Sequence, residues 1–384
     1  MLIAIGSCNW LLQLALAIQF ASSGKRATKP RFIADFVPVG MDLDMVELRL
    51  LEQWPAIDVF VLYEAPYTHF GDCKPLYLRE SMARTSRWDQ FKSKILHLVG
   101  TEEMLKAARL NTLEATARGK LGWEIEHQMR HDPLKLIKQS DHPLAKRLIE
   151  QALSADALAM QNDGDEMSTA RALMHMKMCE MRGPPPFYMP AIGFKGGARY
   201  FTTTKDMGWL SAKWKRAGVA APADIFKHLW KPGPTVNSLK VAFAKDLGQG
   251  RYGAGPGFLE FGPGAAVHMS SNSDPVQQWL KAMSVVEASK DLPRELVDNL
   301  KYRTVSPAVI NANLYDAGSG AENFCKSGPH VSAVSAELQE MAQKALPWPL
   351  THPTLMGRYP CLTFDTFGTH RTDCGTTCCY PKCF

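Results

Sequence analysis

The sequence predicts an α/β fold built on a mostly parallel sheet, and three observations carry that expectation. Short apolar stretches rich in β-branched and aromatic residues alternate with segments of helical spacing. Two of these stretches run out into acid: Ile57–Tyr63 ends at Glu64, and Ala157–Met160 ends in Asn162-Asp163-Gly164-Asp165-Glu166. The chain's 384 residues, 46% hydrophobic and 21% charged, are enough to bury a large core. That composition excludes a disordered chain, a collagen-like fibre and a small disulfide scaffold.

In chain order, Met1–Ala21 carries no charge and contains the apolar run Leu11–Ile18, followed by small residues and then Lys25, Arg26 and Lys29. Residues 1–24 read as a signal peptide or a signal-anchor, which brings the chain into the secretory pathway and offers membrane association through this segment. A buried helix is the plain alternative. Arg31–Val37 predicts a first strand. Asp42 opens a helix with Leu43, Val46, Leu50 and Leu51 on one side, ending near Trp54-Pro55. Ile57–Tyr63 and Ile95–Val99 are expected as buried strands. Glu102–Ile149 is helical in pattern, with Trp123, Met129, Leu134 and Ile137 as apolar anchors. The short run before Asn162 is a further strand, and Asp274-Pro275 opens a later helix.

The formal net charge is +6, and Lys195–Arg251 alone holds eleven Lys or Arg against three Asp, a local +8. Basic tracts and recognition motifs for nucleic acid are absent, so no nucleic-acid partner is expected. Of nine cysteines, five fall at Cys361, Cys374, Cys378, Cys379 and Cys383. In an oxidising lumen they would pair as disulfides, with a zinc site as the alternative at the spacing Cys374-x3-Cys378 and Cys379-x3-Cys383. No Asn-x-Ser/Thr sequon occurs.

In parallel sheets, ligands bind beyond the carboxyl ends of the strands, where Glu64 and the acidic cluster are both expected. Alternate carboxylates at Asp163 and Asp165 can converge on a hard cation, with Gly164 easing the turn between them. Mg²⁺ or Mn²⁺ there would neutralise a leaving diphosphate. A solvated turn is the alternative for the motif by itself.

Several segments together resemble glycosyltransferase family 17. They are Asp44-Met-Val-Glu-Leu-Arg-Leu50, Ile57-Asp-Val-Phe-Val-Leu-Tyr-Glu64, Thr68-His-Phe-Gly71-x-x-Lys74-Pro75-Leu76, Trp123-x-x-Glu126-x-Gln128-x-Arg130, Asp163-Gly-Asp165-Glu166, His268 and Lys281. The resemblance spans roughly Arg31 to Leu300. The family's aromatic-rich acceptor region is replaced by the basic, Gly-rich stretch Lys195–Gly264, and the cysteine-rich tail has no counterpart. Two short motifs also depart from the pattern. Met167-Ser168 stands where the family has isoleucine-proline, and Ala266-Val267 where it has Gly-Trp.

What the resemblance implies is a GT-A-like, Rossmann-type nucleotide-sugar domain over 31–325, with a Cys-rich extension over 326–384. It implies an inverting, metal-dependent hexosyltransferase that moves N-acetylglucosamine from UDP-GlcNAc to a glycan or glycoprotein acceptor, the mannose of an N-glycan. Mn²⁺ (or Mg²⁺) is the implied cofactor and the Golgi lumen the implied compartment, the chain being membrane-anchored or secreted.

Asp163, Asp165 and His268 are the candidate metal ligands, His268 also reading as a core histidine. Glu166 either orients a ligand or caps the next helix. Glu64, Thr68, Lys74, Arg130 and Lys281 are the candidate donor-binding residues, with a solvated hairpin as the alternative for Thr68 and Lys74 and a structural salt bridge for Arg130. Arg49 is expected to pair with a nearby acid. An inverting transfer needs a general base, and Asp274 and Glu260 are the candidates. Two other readings stand beside this one: a catalytically weakened relative that binds glycans, motivated by the residues around Glu166 and His268, and a disulfide-rich interaction protein.

Overall fold

The computed structural model describes residues 27–69, 71–103, 118–152, 156–180, 187–195, 216–220, 265–270, 281, 340, 344–352, 355 and 359. The leader, Glu260, Asp274, the cysteine-rich tail and most of the basic stretch lie outside them.

Among the described residues, eight strands form one sheet. The first is β1 (Ile33–Pro38), followed by helix α1 (Leu43–Gln53), β2 (Val59–Glu64), α2 (Tyr77–Arg84) and β3 (Ile95–Val99). Next come α3 (Arg118–Gln139), α4 (Pro143–Ala152), β4 (Leu158–Gln161), β5 (Glu166–Ser168) and α5 (Ala170–Met178). β6 (Phe187–Lys195), β7 (Arg216–Ala220), β8 (Ala266–Ser270) and the short α6 (Trp348–Thr351) complete the described elements. The strands and the first helix expected between Arg31 and Met160 are present close to their expected limits. Of the helical stretch expected over Glu102–Ile149, α3 and α4 are seen, and 104–117 lies outside the described residues.

The strand order is β3-β2-β1-β4-β7-β6-β8-β5. Its first half pairs in parallel throughout, in the 3-2-1-4 order of a Rossmann half. The second half is mixed: β7 runs antiparallel to β4 and β6, and β5 antiparallel to β8, while β6 and β8 are parallel. Only residues 162–165 separate β4 from β5. A parallel crossover needs about a dozen residues, so β5 pairs elsewhere, at the far edge.

Side-chain alternation explains the layering. On β1, Ile33 and Val37 face α1, α2 and α5, where Val46, Leu50, Leu78, Leu173 and Met176 bury against them. Phe32, Ala34 and Phe36 face the other way, onto Ile125, Met129, Leu134 and Ile137 of α3 and Leu148 of α4. β2 divides in the same manner, with Phe60 and Leu62 on one side and Val59, Val61 and Tyr63 on the other.

A third cluster joins Met45 and Leu48 of α1 to Met167, Ile192, Phe194, Val267 and Met269. Ala345, Leu350 and Tyr359 close it, so these residues of the expected extension pack into the same core. Glu52 ties them down, accepting from the Trp348 amide (2.8 Å) through one oxygen and from the Ala170 amide (2.7 Å) through the other. Among the described residues no helix is long and apolar enough to cross a membrane. Among the described residues, Cys73 is exposed and Cys179 buried.

Candidate functional site

The acidic cluster lies on the turn from β4 to β5. The Glu166 amide donates to the Asp163 carbonyl (3.0 Å), and the Met269 amide of β8 donates to the Asp165 carbonyl (2.8 Å). Glu166 is buried, and its Oε2 turns back toward the Asp163 amide (3.4 Å). The next helix is capped by Thr169, whose hydroxyl accepts from the Ala172 amide, so Glu166 does not cap it. Among the described residues the glycine with left-handed backbone is Gly71 (φ 77°), not Gly164. A Cβ on Gly164 would meet only the Pro38 carbonyl, at 3.6 Å. The turn between the two acids therefore does not depend on glycine geometry.

Cations flank both aspartates. Arg130, buried on α3, reaches Asp163 Oδ1 at 2.5 Å and Glu126 Oε1 at 2.6 Å. Burial alone would lower the Arg130 pKa, but Asp163 and Glu126 reverse this and raise it. Lys281 reaches Asp165 Oδ2 at 2.8 Å and Asp42 Oδ2 at 3.6 Å, and His268 Nε2 lies 3.7 Å from the same Asp165 oxygen. Burial acts to raise the Asp165 pKa, yet Lys281 and His268 hold it well below the usual carboxylate range. Asp165 therefore stands ionised on the rim, and each aspartate lies beside a cation anchored by a further carboxylate.

The loop after β2 forms the facing wall. Its backbone closes on Thr68, whose amide donates to the Asp72 carbonyl (2.8 Å) and whose hydroxyl accepts from the Asp72 amide (3.2 Å). His69 lies within electrostatic reach of Glu126, Arg130, Asp163 and Lys74, and burial lowers its pKa. Lys74 is half-buried; its Nζ is shielded from solvent, without a hydrogen-bond partner among the described residues, 5.7 Å from the centre of the Tyr77 ring. Burial lowers its pKa, with Glu64 partly offsetting that. Behind the loop, Tyr63 donates to Asp132 (2.9 Å) from β2, and burial raises the pKa of both.

The structure distributes the expected site residues unevenly. Asp163, Asp165, Glu166, Arg130, Lys281 and His268 gather at one turn. Asp163, Asp165 and His268 do not converge as one ligand set, because Asp163 is drawn to Arg130 and Asp165 to Lys281. Among the described residues no group of three His, Cys, Asp or Glu is placed to hold a metal ion.

Glu64 is fully buried and accepts from the Leu78 (2.8 Å) and Arg79 (3.1 Å) amides at the start of α2, with His97 beside it at 3.2 Å. Its carboxylate thus points into the fold rather than out over a donor. Arg49 pairs with Asp35, as its position on the first helix led us to expect. Of Trp123 only the backbone, within α3, is described.

The two short motifs that depart from the family pattern face each other. Met167 pairs with Val267 and Ser168 with Ala266 across the β5–β8 ladder, and all four are fully buried. They are neighbours in the core rather than residues of the rim. The weakened, glycan-binding reading, which those departures motivated, finds no altered rim group in them.

Residues 22–188 match the family model of glycosyltransferase family 17. The resemblance seen in the sequence is borne out over that span, which contains β1 to β5, the loop after β2, Arg130 and the acidic turn. His268 and Lys281 lie beyond the family 17 match. The match supports glycosyl transfer as the chemistry.

Among curated proteins, none matches the chain. Among solved structures, the mannosyltransferase PcManGT from Pyrobaculum calidifontis, in complex with GDP-Man and Mn²⁺, aligns over 90% of this chain and 94% of its own. The identity is 10% and the TM-score 0.33, a likeness that carries nothing over to this chain.

The sequence assigned no site role to Asp35, Asp42, His69, Glu126 or Asp132, although Asp42 was expected to open a helix and His69 and Glu126 fall in the resembling segments. For Asp35 a signal was present: a lone carboxylate inside Ile33-Ala34-Asp35-Phe36-Val37 must be buried with a partner. For Asp42 the partner, Lys281, is distant in sequence, and no local pattern points to it.

Proposed function

We propose that the chain is an inverting, metal-dependent glycosyltransferase that moves N-acetylglucosamine from UDP-GlcNAc to a glycan acceptor, the mannose of an N-glycan. The observation that carries this reading is the acidic turn at the carboxyl end of β4, inside a Rossmann-order half-sheet and inside the matched segment, with Arg130 and Lys281 beside it.

Asp163 and Asp165 are hard oxygen donors on one turn, and two such carboxylates suit Mn²⁺ or Mg²⁺, which completes its shell with water and phosphate oxygens. Bound there, the cation would supply charge neutralisation for the departing diphosphate. Lys74 offers a buried ammonium whose hydrogen-bonding capacity an anionic group would satisfy. Arg130 and Lys281 hold the two carboxylates in place. The transfer needs a carboxylate that takes the acceptor's hydroxyl proton as that oxygen attacks the anomeric carbon. Asp274 and Glu260 are our candidates for it. The charge-free leader-like amino terminus supports entry into the secretory pathway, with the Golgi lumen as the working compartment.

The test is turnover of a panel of nucleotide sugars by the purified full chain, with Mn²⁺ or with EDTA. We expect UDP release from UDP-GlcNAc in Mn²⁺ only, abolished by Asp165→Ala. Equal turnover in EDTA would remove the metal from the reading. Faster turnover of another sugar would replace N-acetylglucosamine. If no nucleotide sugar is turned over and UDP does not bind, the reading as a glycosyltransferase fails.

A further inference from the structure

Arg49 lies in the middle of α1 and is fully buried, as is its partner Asp35 on β1. Its Nε donates to Asp35 Oδ2 (2.6 Å) and its Nη2 to Asp35 Oδ1 (2.9 Å), the two-pronged geometry of guanidinium on carboxylate. The remaining nitrogen is directed elsewhere. Nη1 donates to the main-chain carbonyls of both Asp163 (3.0 Å) and Glu166 (2.7 Å). One guanidinium thus holds the first and last residues of the acidic turn from beneath, while Asp35 fixes its plane.

From this geometry we infer that the Asp35–Arg49 pair is the positioning device of the acidic turn. It sets where the Asp163 and Asp165 carboxylates stand without touching a donor itself. This rests on the reading of that turn as the donor site.

A buried ion pair is a costly way to stabilise a fold, since removing two charges from water offsets most of their attraction. Apolar residues at 35 and 49 would pack as well against Ile33, Val46 and Leu50. They would remove the side-chain donor shared by the two carbonyls and leave the Asp163 carbonyl with the Glu166 amide, inside the turn itself. The fork binds four acceptor atoms from two segments in one rigid plane, which lysine, a single flexible point donor, does not reproduce. Rim carboxylates whose work depends on placement need such a support, because a shift of about 1 Å in a reacting group can cost ~100-fold in rate.

The test is Arg49→Lys in the full chain, which keeps the charge facing Asp35 and loses the fork. Two measurements are made: UDP affinity in Mn²⁺ by calorimetry, and amide hydrogen exchange. We expect the UDP Kd to weaken by about 10-fold or more. Exchange at the Glu166 and Met269 amides, whose bonds close the turn, should accelerate while amides of β2 hold their wild-type rates. Should exchange accelerate equally across the sheet, or UDP affinity stay at the wild-type value in a folded variant, Arg49 is a general stabiliser and the inference is overturned.

If Arg49→Lys does not fold, Asp35→Asn is read by the same two measurements. It keeps Arg49 and its carbonyl bonds but loosens their aim, and we expect a weaker effect in the same direction. Failure of wild type to bind UDP would defeat the donor reading alone, since the exchange experiment still reports whether Arg49 holds the turn.

Discussion

β2 and β4 lie on either side of β1, and both run out into acid at the carboxyl rim, yet the two acids face opposite ways. Glu64 turns inward and is saturated by the first amides of α2. Asp163 and Asp165 turn toward side-chain cations that come from α3 and from residue 281. The difference lies in the element that each strand leads into. After β2 the chain re-enters as a helix, whose unpaired amino-terminal N–H groups attract a carboxylate. After β4 it enters β5, whose amides belong to a ladder, so the carboxylates must find partners among side chains. An acid at a strand end is therefore a site candidate only when no helix start lies within its reach.

Substitution at the two strand ends tests this contrast most severely. Asp165→Ala should reduce sugar-nucleotide turnover by about 100-fold or more. It should also lower stability by roughly 1–3 kcal/mol, less than a fully buried pair would lose, because Lys281 keeps Asp42 and partial solvent access. Glu64→Gln should lower stability by about 1–2 kcal/mol, read by denaturant titration, and leave the UDP Kd unchanged. Equal loss of UDP affinity in both variants would erase the distinction between the two acids.

Gly100 tests the β2 side through packing. A Cβ there would come within 2.4 Å of the Tyr63 hydroxyl, so Gly100→Ala should cost roughly 1–3 kcal/mol by displacing Tyr63 from Asp132. Lys74→Met separates binding from folding. Removing a buried ammonium without a hydrogen-bond partner among the described residues should leave the melting temperature equal or higher, while UDP affinity falls about 10-fold. A fall in both would mean that Lys74 supports the loop itself.

The smallest effect is a control at the opposite ends of the same strands. Lys94 donates to the Trp54 (2.6 Å) and Ile57 (2.8 Å) carbonyls, and burial lowers its pKa to about 8, with Asp58 partly opposing. The unfolded chain keeps this proton up to roughly pH 10.4. Between those values the unfolded state binds more protons than the folded one, so stability should rise with pH across that window. Lys94→Met should flatten the rise in chemical denaturation without changing donor binding.

Much of the parallel half was legible because its signals are local. The β-branched and aromatic run before Glu64 became β2, and the apolar spacing after Asp42 became α1. Glu64 and Asp163 look alike in sequence, however, and only distant partners distinguish them: the start of α2 for one, Arg130 for the other. Lys281 meets Asp165 across 116 positions, and no local pattern anticipates that. The mixed half was illegible for the same reason, since the pairing of β5 depends on β8, about a hundred residues further along. The two short motifs that depart from the family pattern illustrate this well. Separated in sequence, Met167-Ser168 and Ala266-Val267 are one patch of ladder, in which a change on one strand is met by a change on the other.

Met45 and Leu48 bury against Ala345, Leu350 and Tyr359. A ribosome adding roughly 5–20 residues per second delivers Leu350 on the order of 15–60 s after Leu48. Through that interval the parallel half can assemble, and residues 167–269 can reach this side of α1, while the cluster still lacks its closing residues. The nascent chain therefore passes through a long half-finished stage, and this core cluster closes only once Leu350 and Tyr359 have been made.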